Sequence, residues 1–283
     1  MTELVILGGG KDPAGCYAGS CFALVGSQGA YLLDCGEAAP GRMAACGINQ
    51  LSVRAVFITH MHYDHMAGLF NFLFGVWAYC RREDEVPPAI RPWSNWGRLH
   101  DEQLPKLLEV AVPQEGLQAL SEFLVAMYLA PELWRFPMRL LPIRPGPFYA
   151  DDWLRVAATP TSHLSSQPAN QRIRLRYPWL GLECNSLICE FEGRRLVYSA
   201  DLGLDGDAST DEFRPATAGA DVIISEVAHV NAEYHLDMLA QTQARQIILV
   251  HVHKNLGERV DELLRRRNDR RFIRAQNGMR IAL

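Results

Sequence analysis

The sequence of 283 residues has no long hydrophobic run. No stretch approaches the roughly 18 uncharged apolar residues of a transmembrane helix, so we expect no membrane partner. The opening MTELVILGGG lacks the basic segment of a signal peptide and indicates a strand that enters a glycine turn. These absences favour a cytoplasmic location.

Paired cysteines and an excess of positive charge are also absent. The seven cysteines are scattered singly without a C-x-x-C pair, which argues against a disulfide framework. The formal net charge is −4, from 28 basic and 32 acidic residues, so a protein that coats nucleic acid is not expected. Hydrophobic residues make up 48% of the chain, which excludes disorder and supplies a large core.

The apolar pattern predicts two half-chains of strands with helices between them. Short β-branched runs at 4–7, 53–59 and 247–250 indicate buried strands, and a helix is predicted over 232–244. This order favours an α/β fold in which sheet packs on sheet with the helices outside. We expect residues 1–283 to form a single domain.

The middle of the chain, 75–150, differs in character. It holds four of the six tryptophans and many prolines, and a helical stretch is predicted over 104–129 with a break at Pro113. We interpret it as a helical or irregular insertion that forms a lid, a substrate wall or a subunit contact.

The segment THMHYDHMAG carries the most chemistry. His60, His62, Asp64 and His65 lie within six residues, directly after a predicted buried strand. An extended backbone directs His60 and His62 to one side, and the turn into a helix lets Asp64 and His65 face a second cation. Neutral imidazole and carboxylate suit zinc, manganese or iron, so the spacing predicts a metal centre.

The pattern H-x-H-x-D-H, followed by Ala67 and Gly68, resembles the metallo-β-lactamase superfamily. The opening LGGG, the LLDCGE at 32–37 and the closing NGMRIAL at 277–283 are similar to segments of that family. The resemblance implies an αββα four-layer sandwich, here with a helical insertion, and a metal site at the sheet edges.

The same resemblance implies further ligands. His163 in ATPTSHLSS matches the third histidine better than His100, which no predicted strand precedes. Asp201 in LVYSADLG resembles the family's bridging aspartate. The last ligand is His251 or His253 in IILVHVHK, and we favour His251 because it ends the apolar run, although a strand puts both on one face.

Two divalent ions are therefore expected, zinc first and manganese or iron as alternatives. Asp201 and a hydroxide would lie between them. Such ions lower the pKa of bound water toward ~7 and so supply a nucleophile at neutral pH. The predicted ligand sets are His60, His62 and His163 for one ion, and Asp64, His65 and His251 for the other.

Two residues are candidates for catalysis. We predict that Asp64 is both a metal ligand and a catalytic residue. His229 precedes a predicted helix and strand that lead to His251, as in the phosphodiesterase branch that includes ribonuclease Z. The resemblance implies that His229, oriented by Glu226, donates a proton to the leaving group. The alternative is a helix-flanking histidine without a function.

These residues predict a metal-dependent hydrolase of phosphodiesters. The substrate classes are a short or cyclic nucleotide, an RNA end, or a small phosphate or phosphonate ester. A long nucleic acid is not favoured, because the net charge is negative and no glycine- and proline-rich arm is present. The alternative is a hydrolase of lactones, thioesters, β-lactams or sulfate esters. A homodimer is compatible with either function.

Basic residues near His163 suggest a phosphate contact. Arg172, Arg174 and Arg176 alternate, which predicts a strand with all three on one face. A solvated edge strand that is protected from aggregation by charge is the alternative.

Overall fold

The computed structural model describes residues 2–9, 19–252 and 254–283. Within them the chain forms two seven-stranded sheets. The first sheet contains β1 (Glu3–Gly8), β2 (Cys21–Gly26), β3 (Gly29–Leu33), β4 (Val53–Phe57), β5 (Leu108–Pro113), β6 (Met138–Ile143) and β14 (Arg280–Ala282). The second contains β7 (Gly146–Ala150), β8 (Leu154–Pro160), β9 (Asn185–Phe191), β10 (Arg194–Tyr198), β11 (Val222–Glu226), β12 (Gln246–Val250) and β13 (Phe272–Arg274).

Both sheets are mixed. In the first, the order is β14-β1-β2-β3-β4-β5-β6, antiparallel up to β3 and parallel from β3 to β6. In the second, the order is β13-β12-β11-β10-β9-β8-β7, parallel up to β10 and antiparallel beyond it. Each sheet thus has a parallel half, where crossover helices cover the outer face and both faces of the strands are buried.

The core explains why the central strands are apolar at every position. In β1, Leu4 and Ile6 face the layer between the sheets, whereas Val5 and Leu7 face the helices outside. The ring of Phe22 meets that of Tyr198 across the two sheets at a centroid distance of 5.0 Å. Successive strand residues point to opposite faces, so a strand covered on both sides must be apolar throughout.

Helices cover both outer faces. The helices are α1 (Ala39–Ala45), α2 (Tyr63–Met66), α3 (Gly68–Tyr79), α4 (Gln114–Ala126), α5 (Pro168–Arg176), α6 (Asp207–Phe213), α7 (Ala232–Ala240) and α8 (Lys254–Arg267). Met43, Phe72 and Leu120 pack α1, α3 and α4 on the first sheet. Phe213 and Leu236 pack α6 and α7 on the second. The predicted αββα sandwich is confirmed.

The segment predicted as a helical insertion contributes strands to the fold. The helix predicted over 104–129 begins only at Gln114, because Leu108–Pro113 is strand β5 of the first sheet. Val110 and Val112 are buried against the helical layer, and β-branched side chains favour this extended backbone. Residues 138–143 and 146–150 are also strands. The proposed roles of the segment stay predictions.

None of the helices in the described parts of the chain has the length and apolar character to cross a membrane. In both sheets, the parallel strands end at one edge of the fold. The chain leaves β3 and β4, and likewise β10, β11 and β12, at the same end of neighbouring parallel strands. Polar residues that follow these strands are therefore brought together.

Candidate metal centre

Loops at that edge carry the predicted ligands. The segment that includes His60 and His62 follows β4, His163 follows β8, Asp201 follows β10 and His251 follows β12. Their ligand atoms approach within 4.8 Å of one another in three groups: His60, His62, His163 and Asp201; Asp64, His65 and His251; and Asp201, His229 and His251. Residues far apart in the sequence thus meet at one place.

The local backbone orients the first of the predicted ligands. His60 continues from β4 and is fully buried, and His62 is the extended N-cap residue of α2, with φ −66° and ψ 147°. The imidazole centroid of His60 lies 4.6 Å from that of His62 and 4.1 Å from that of His65. The change from strand to helix within six residues therefore places several imidazoles side by side.

A glycine after the histidine segment permits this packing. A Cβ atom on Gly68 would lie 2.0 Å from the carbonyl oxygen of Gly36, and the Gly68 amide donates to the Cys35 carbonyl at 2.9 Å. Any side chain at position 68 would push α3 away from the loop after β3. The glycine thus holds α2 and α3 against the loop that contains Asp34.

Asp201 lies between two clusters of imidazoles. Its Oδ2 atom is 3.6 Å from His163 Nε2 and 4.0 Å from His60 Nε2. Its Oδ1 atom is 3.4 Å from His65 Nε2 and 3.9 Å from His251 Nδ1. Burial alone raises the pKa of Asp201, but the surrounding imidazoles, His65 first, outweigh it and hold the pKa well below its usual range. One oxygen of an ionised carboxylate thus faces each cluster.

The chemistry of the donor set fits divalent cations. Burial lowers the pKa of His60, His62 and His163, which favours the neutral imidazoles that metals bind. Among the described residues, the buried Nε2 atoms of His60 and His65 have no hydrogen-bond partner. Buried polar atoms are rarely left so, and cations between these nitrogens and the carboxylates would satisfy them.

The ring nitrogens on the far side are hydrogen-bonded. His65 Nδ1 donates to Asp34 Oδ2 at 2.7 Å, with the carboxylate oxygen as the acceptor. His163 Nδ1 donates to the Leu202 carbonyl at 2.9 Å, and His60 Nδ1 lies 3.1 Å from the Thr59 hydroxyl. Such bonds orient the rings and direct Nε2 to the centre, as is typical of metal-ligating histidines.

Asp34 is the centre of this supporting network. It is fully buried at φ +58°, an uncommon conformation for a residue other than glycine. Its carboxylate accepts from the Thr59 amide at 2.7 Å, from the Thr59 hydroxyl at 3.0 Å, from His65 and from the Tyr198 hydroxyl at 2.7 Å. Tyr198 belongs to the second sheet, so the network joins the two halves of the molecule.

Sequence reasoning did not assign a role to Asp34 or Tyr198. A signal was present for Asp34, which is a charged residue directly after the apolar strand 29–33. No local pattern marks Tyr198, since its partner lies 164 residues away.

His229 lies beside the clusters on a buried carboxylate. Glu226 Oε1 accepts from His229 Nδ1 at 3.2 Å and from the Leu202 amide at 2.9 Å. Its Oε2 accepts from the amides of Ala228 and His229 at 2.6 and 3.0 Å. Burial lowers the pKa of His229, but the hydrogen bond to Glu226 and the charge of that residue raise it to about 8. A protonated imidazole is therefore held next to Asp201 and His251.

The structure separates some of the competing candidates. His253, the alternative to His251, lies outside the described residues. His100 is exposed at the start of a short turn, and no potential metal group in the described parts of the chain includes it. His163, in contrast, is buried within the first cluster.

The predicted arginine strand is wrong. Residues 168–176 form helix α5, which starts with Pro168 in its first turn, a favoured position for proline. At 3.6 residues per turn, Arg174 points away from Arg172 and Arg176, and all three are exposed. Alternating charge fits a strand or a solvated helix equally well, and the buried neighbours that a strand needs are missing here.

Comparison with known proteins decides the family. The family model for the Anti-Pycsar protein Apyc1 matches residues 2–278. The chain belongs to this family. Ribonuclease Z from Mycobacterium bovis is 38% identical over 95 residues, and ribonuclease Z from Mycobacterium marinum is 35% identical over 92 residues. The matched segments span about a third of this chain and about a third of those relatives.

Solved structures show the same fold over the whole length. The metallo-β-lactamase fold protein YhfI from Bacillus subtilis superposes with a TM-score of 0.65 at 17% identity, with 100% of both chains covered. Human tRNase Z, short form, also gives 0.65 at 15% identity, with 99% of this chain and 98% of that chain covered. The Apyc1 family member described here thus has the metallo-β-lactamase fold, and its prediction as a metal-dependent hydrolase agrees with these relatives.

Proposed function

We propose that this chain is a hydrolase that holds two divalent cations and cleaves phosphodiesters. The observation that carries the proposal is the position of Asp201, whose two oxygens face different clusters of imidazoles. A carboxylate in this position can contact two ions and offset part of their repulsion.

The residues divide into two sets of ligands. His60, His62 and His163 would hold one ion, and Asp64, His65 and His251 the other, with Asp201 shared. Zinc is the first candidate, because imidazole-rich sets with few carboxylates suit it, and manganese or iron are the alternatives. Divalent ions bound in this way act as Lewis acids and supply a hydroxide nucleophile at neutral pH.

His229 is the proposed proton donor. Its Nδ1 is engaged by Glu226 at 3.2 Å, which fixes the ring and favours the protonated form. Proton transfer to the departing oxygen would then occur from Nε2. Glu226 is fully buried and also bonded to three backbone amides, so it serves as a positioning residue rather than as the acid itself.

The named activities of the relatives favour a phosphodiester over a carboxylic ester. Both reactions expel an alkoxide, which a protonated imidazole beside the clusters can neutralise, so the leaving group does not distinguish them. The relatives named with an activity include ribonucleases Z and a diphosphatase of the PhnP family. A short or cyclic nucleotide fits the net charge of −4 better than a long nucleic acid does.

Several further points belong to the same proposal. The family description leads us to propose that the chain acts against Pycsar. We also propose a cytoplasmic single domain that forms a homodimer, in which residues 75–150 help to limit the size of the substrate.

The test combines metal analysis with a panel of substrates. The purified protein should contain about two equivalents of a divalent metal by elemental analysis. It should hydrolyse bis(p-nitrophenyl) phosphate and 3′,5′-cyclic nucleotides faster than precursor tRNA. Turnover of a lactone or a β-lactam without any phosphodiester would overturn the choice of bond, and a protein that binds no metal would overturn the whole proposal.

A further inference from the structure

We propose that Gln167 binds the substrate, by donating a hydrogen bond from its carboxamide to a non-bridging oxygen of the scissile phosphodiester. The inference rests on the proposed function. Gln167 Nε2 lies 3.3 Å from His163 Nε2. The same imidazole nitrogen is 3.3 Å from His62 Nδ1 and 3.6 Å from Asp201 Oδ2. The carboxamide is therefore at the border of the first cluster.

The turn that carries Gln167 is fixed by its own hydrogen bonds. The Ser166 amide donates to the Ser162 carbonyl at 2.7 Å, and the Ser166 hydroxyl accepts from the Leu204 amide at 3.0 Å. Asn170 Nδ2 donates to the Leu164 carbonyl at 3.1 Å. These bonds tie the turn to the loop that contains Asp201, so the position of Gln167 relative to the cluster is built into the fold.

The side chain of Gln167 is not used by the helix that follows. Gln167 is the N-cap residue of α5, yet its side chain makes no capping hydrogen bond. It extends toward His163 and is half-buried. The next glutamine, Gln171, differs in this respect, because its Nε2 donates to the Ser165 carbonyl at 2.6 Å. The pair thus offers one carboxamide at the cluster and one that is used within the turn.

The chemistry indicates which substrate group Gln167 would meet. His163 Nδ1 donates to the Leu202 carbonyl, so Nε2 carries the lone pair that Gln167 faces. Coordination of a cation would use that lone pair, and the amide N–H would then need another acceptor. An anionic phosphate oxygen at the ions is such an acceptor, and hydrogen bonds to charged groups are stronger than those to neutral ones.

The experiment compares Gln167→Met and Gln167→Glu with Gln171→Ala. Methionine keeps the length of the side chain without the donor, and an ionised glutamate keeps the shape but repels an anion. We expect Gln167→Met to lower kcat/KM for bis(p-nitrophenyl) phosphate roughly 10- to 100-fold. Gln167→Glu should lower it further, and Gln171→Ala should match the unaltered protein. Metal content should be the same in all of them.

A second measurement does not depend on turnover. Inorganic phosphate is titrated calorimetrically into the metal-loaded proteins, and Gln167→Met should bind it roughly tenfold more weakly. Equal phosphate affinity and equal kcat/KM in the Gln167 and Gln171 variants would overturn the inference. Loss of metal from Gln167→Met would also overturn it, since the residue would then support His163. If the unaltered protein cleaves no phosphodiester, the proposed function fails, and the phosphate titration still tests Gln167.

Discussion

The predicted ligands and the helix beside them are built in opposite ways. Most of the predicted ligands follow β4, β10 or β12, which are buried on both faces where they end, and His60, His65 and Asp201 are almost inaccessible to solvent. Helix α5, only a few residues beyond His163, exposes 85% of Leu175, and Trp179 after it is 64% exposed. Burial on both sides leaves one arrangement for the predicted ligands, whereas α5 is held mainly by the hydrogen bonds of the turn that precedes it. The predictions below test this difference.

The largest effect is expected from the residue shared by both clusters. Asp201→Asn keeps the shape of the side chain but removes the charge that faces five imidazoles. We expect the loss of at least one bound metal and a fall in kcat of roughly 1000-fold. Elemental analysis and steady-state kinetics would check this. Asp205→Asn, in the exposed part of the same loop, is the matched control and should behave as the unaltered protein.

The next effect separates proton donation from metal binding. His229→Gln should retain the metals and lower kcat for a phosphodiester with a poor leaving group by roughly 100-fold. The loss should be smaller for a p-nitrophenolate leaving group, which needs no proton. His100→Gln, at an exposed histidine, is the control. Equal losses for both leaving groups would contradict the proposed role.

A third prediction concerns a buried histidine outside the candidate metal centre. The two ring nitrogens of His235 are hydrogen-bonded to hydroxyl groups: Nδ1 to that of Thr210 at 2.9 Å and Nε2 to that of Ser225 at 2.8 Å. Burial lowers the pKa of His235 to about 4. The unfolded chain, with an ordinary histidine pKa of about 6.5, binds more protons between these two pKa values, so stability falls as the pH is lowered. From pH 7 to pH 5 the loss is about 2 kcal/mol.

Urea unfolding at the two pH values checks this loss. His235→Gln is less stable at neutral pH, because a tight buried site is altered, but its stability should depend less on pH than that of the unaltered protein. An identical pH dependence in the two proteins would show that His235 is not responsible.

A smaller effect is expected from the link between the two sheets. Tyr198→Phe removes the hydroxyl that donates to Asp34 and leaves the remaining bonds of that carboxylate in place. Metal affinity should fall roughly tenfold, as for other residues that support ligands. The control is Tyr149→Phe, another buried tyrosine of the inter-sheet core, whose hydroxyl donates to Asp151. Competition with a chelator measures both.

The smallest effect is expected from the exposed arginines of α5. Replacement of Arg172, Arg174 and Arg176 by alanine removes exposed charges of α5 that do not share one face. For a short phosphodiester, kcat/KM should change by less than about threefold, because exposed charges are screened by salt. A loss of tenfold or more at ordinary ionic strength would show that α5 contacts the phosphate.

Sequence reasoning succeeded where a pattern is local or repeats along a buried strand. The spacing of His60, His62, Asp64 and His65 predicted a cluster that the structure brings together with His163, Asp201 and His251, and the apolar runs identified the central strands. It failed where the secondary structure depends on contacts between residues that are far apart in the sequence. Strand β5 was taken for helix because its partners, β4 and β6, are separated from it by loops and helices. The arginines of α5 were taken for a strand because alternation does not reveal that one face lacks a neighbour.

By itself, the sequence determined the apolar strands of a sheet-on-sheet fold and the local cluster of His60, His62, Asp64 and His65, since both follow from short-range patterns and from residue types that suit cations. The resemblance to the metallo-β-lactamase superfamily added the four-layer sandwich and the remaining predicted ligands. Only the tertiary structure decided that Asp201 turns one oxygen to each cluster, that Asp34 and Tyr198 hold His65, and that Gln167 rather than the arginines borders the site. Those relations join residues from different strands and loops, and their distances depend on how the two sheets pack, which no local pattern encodes.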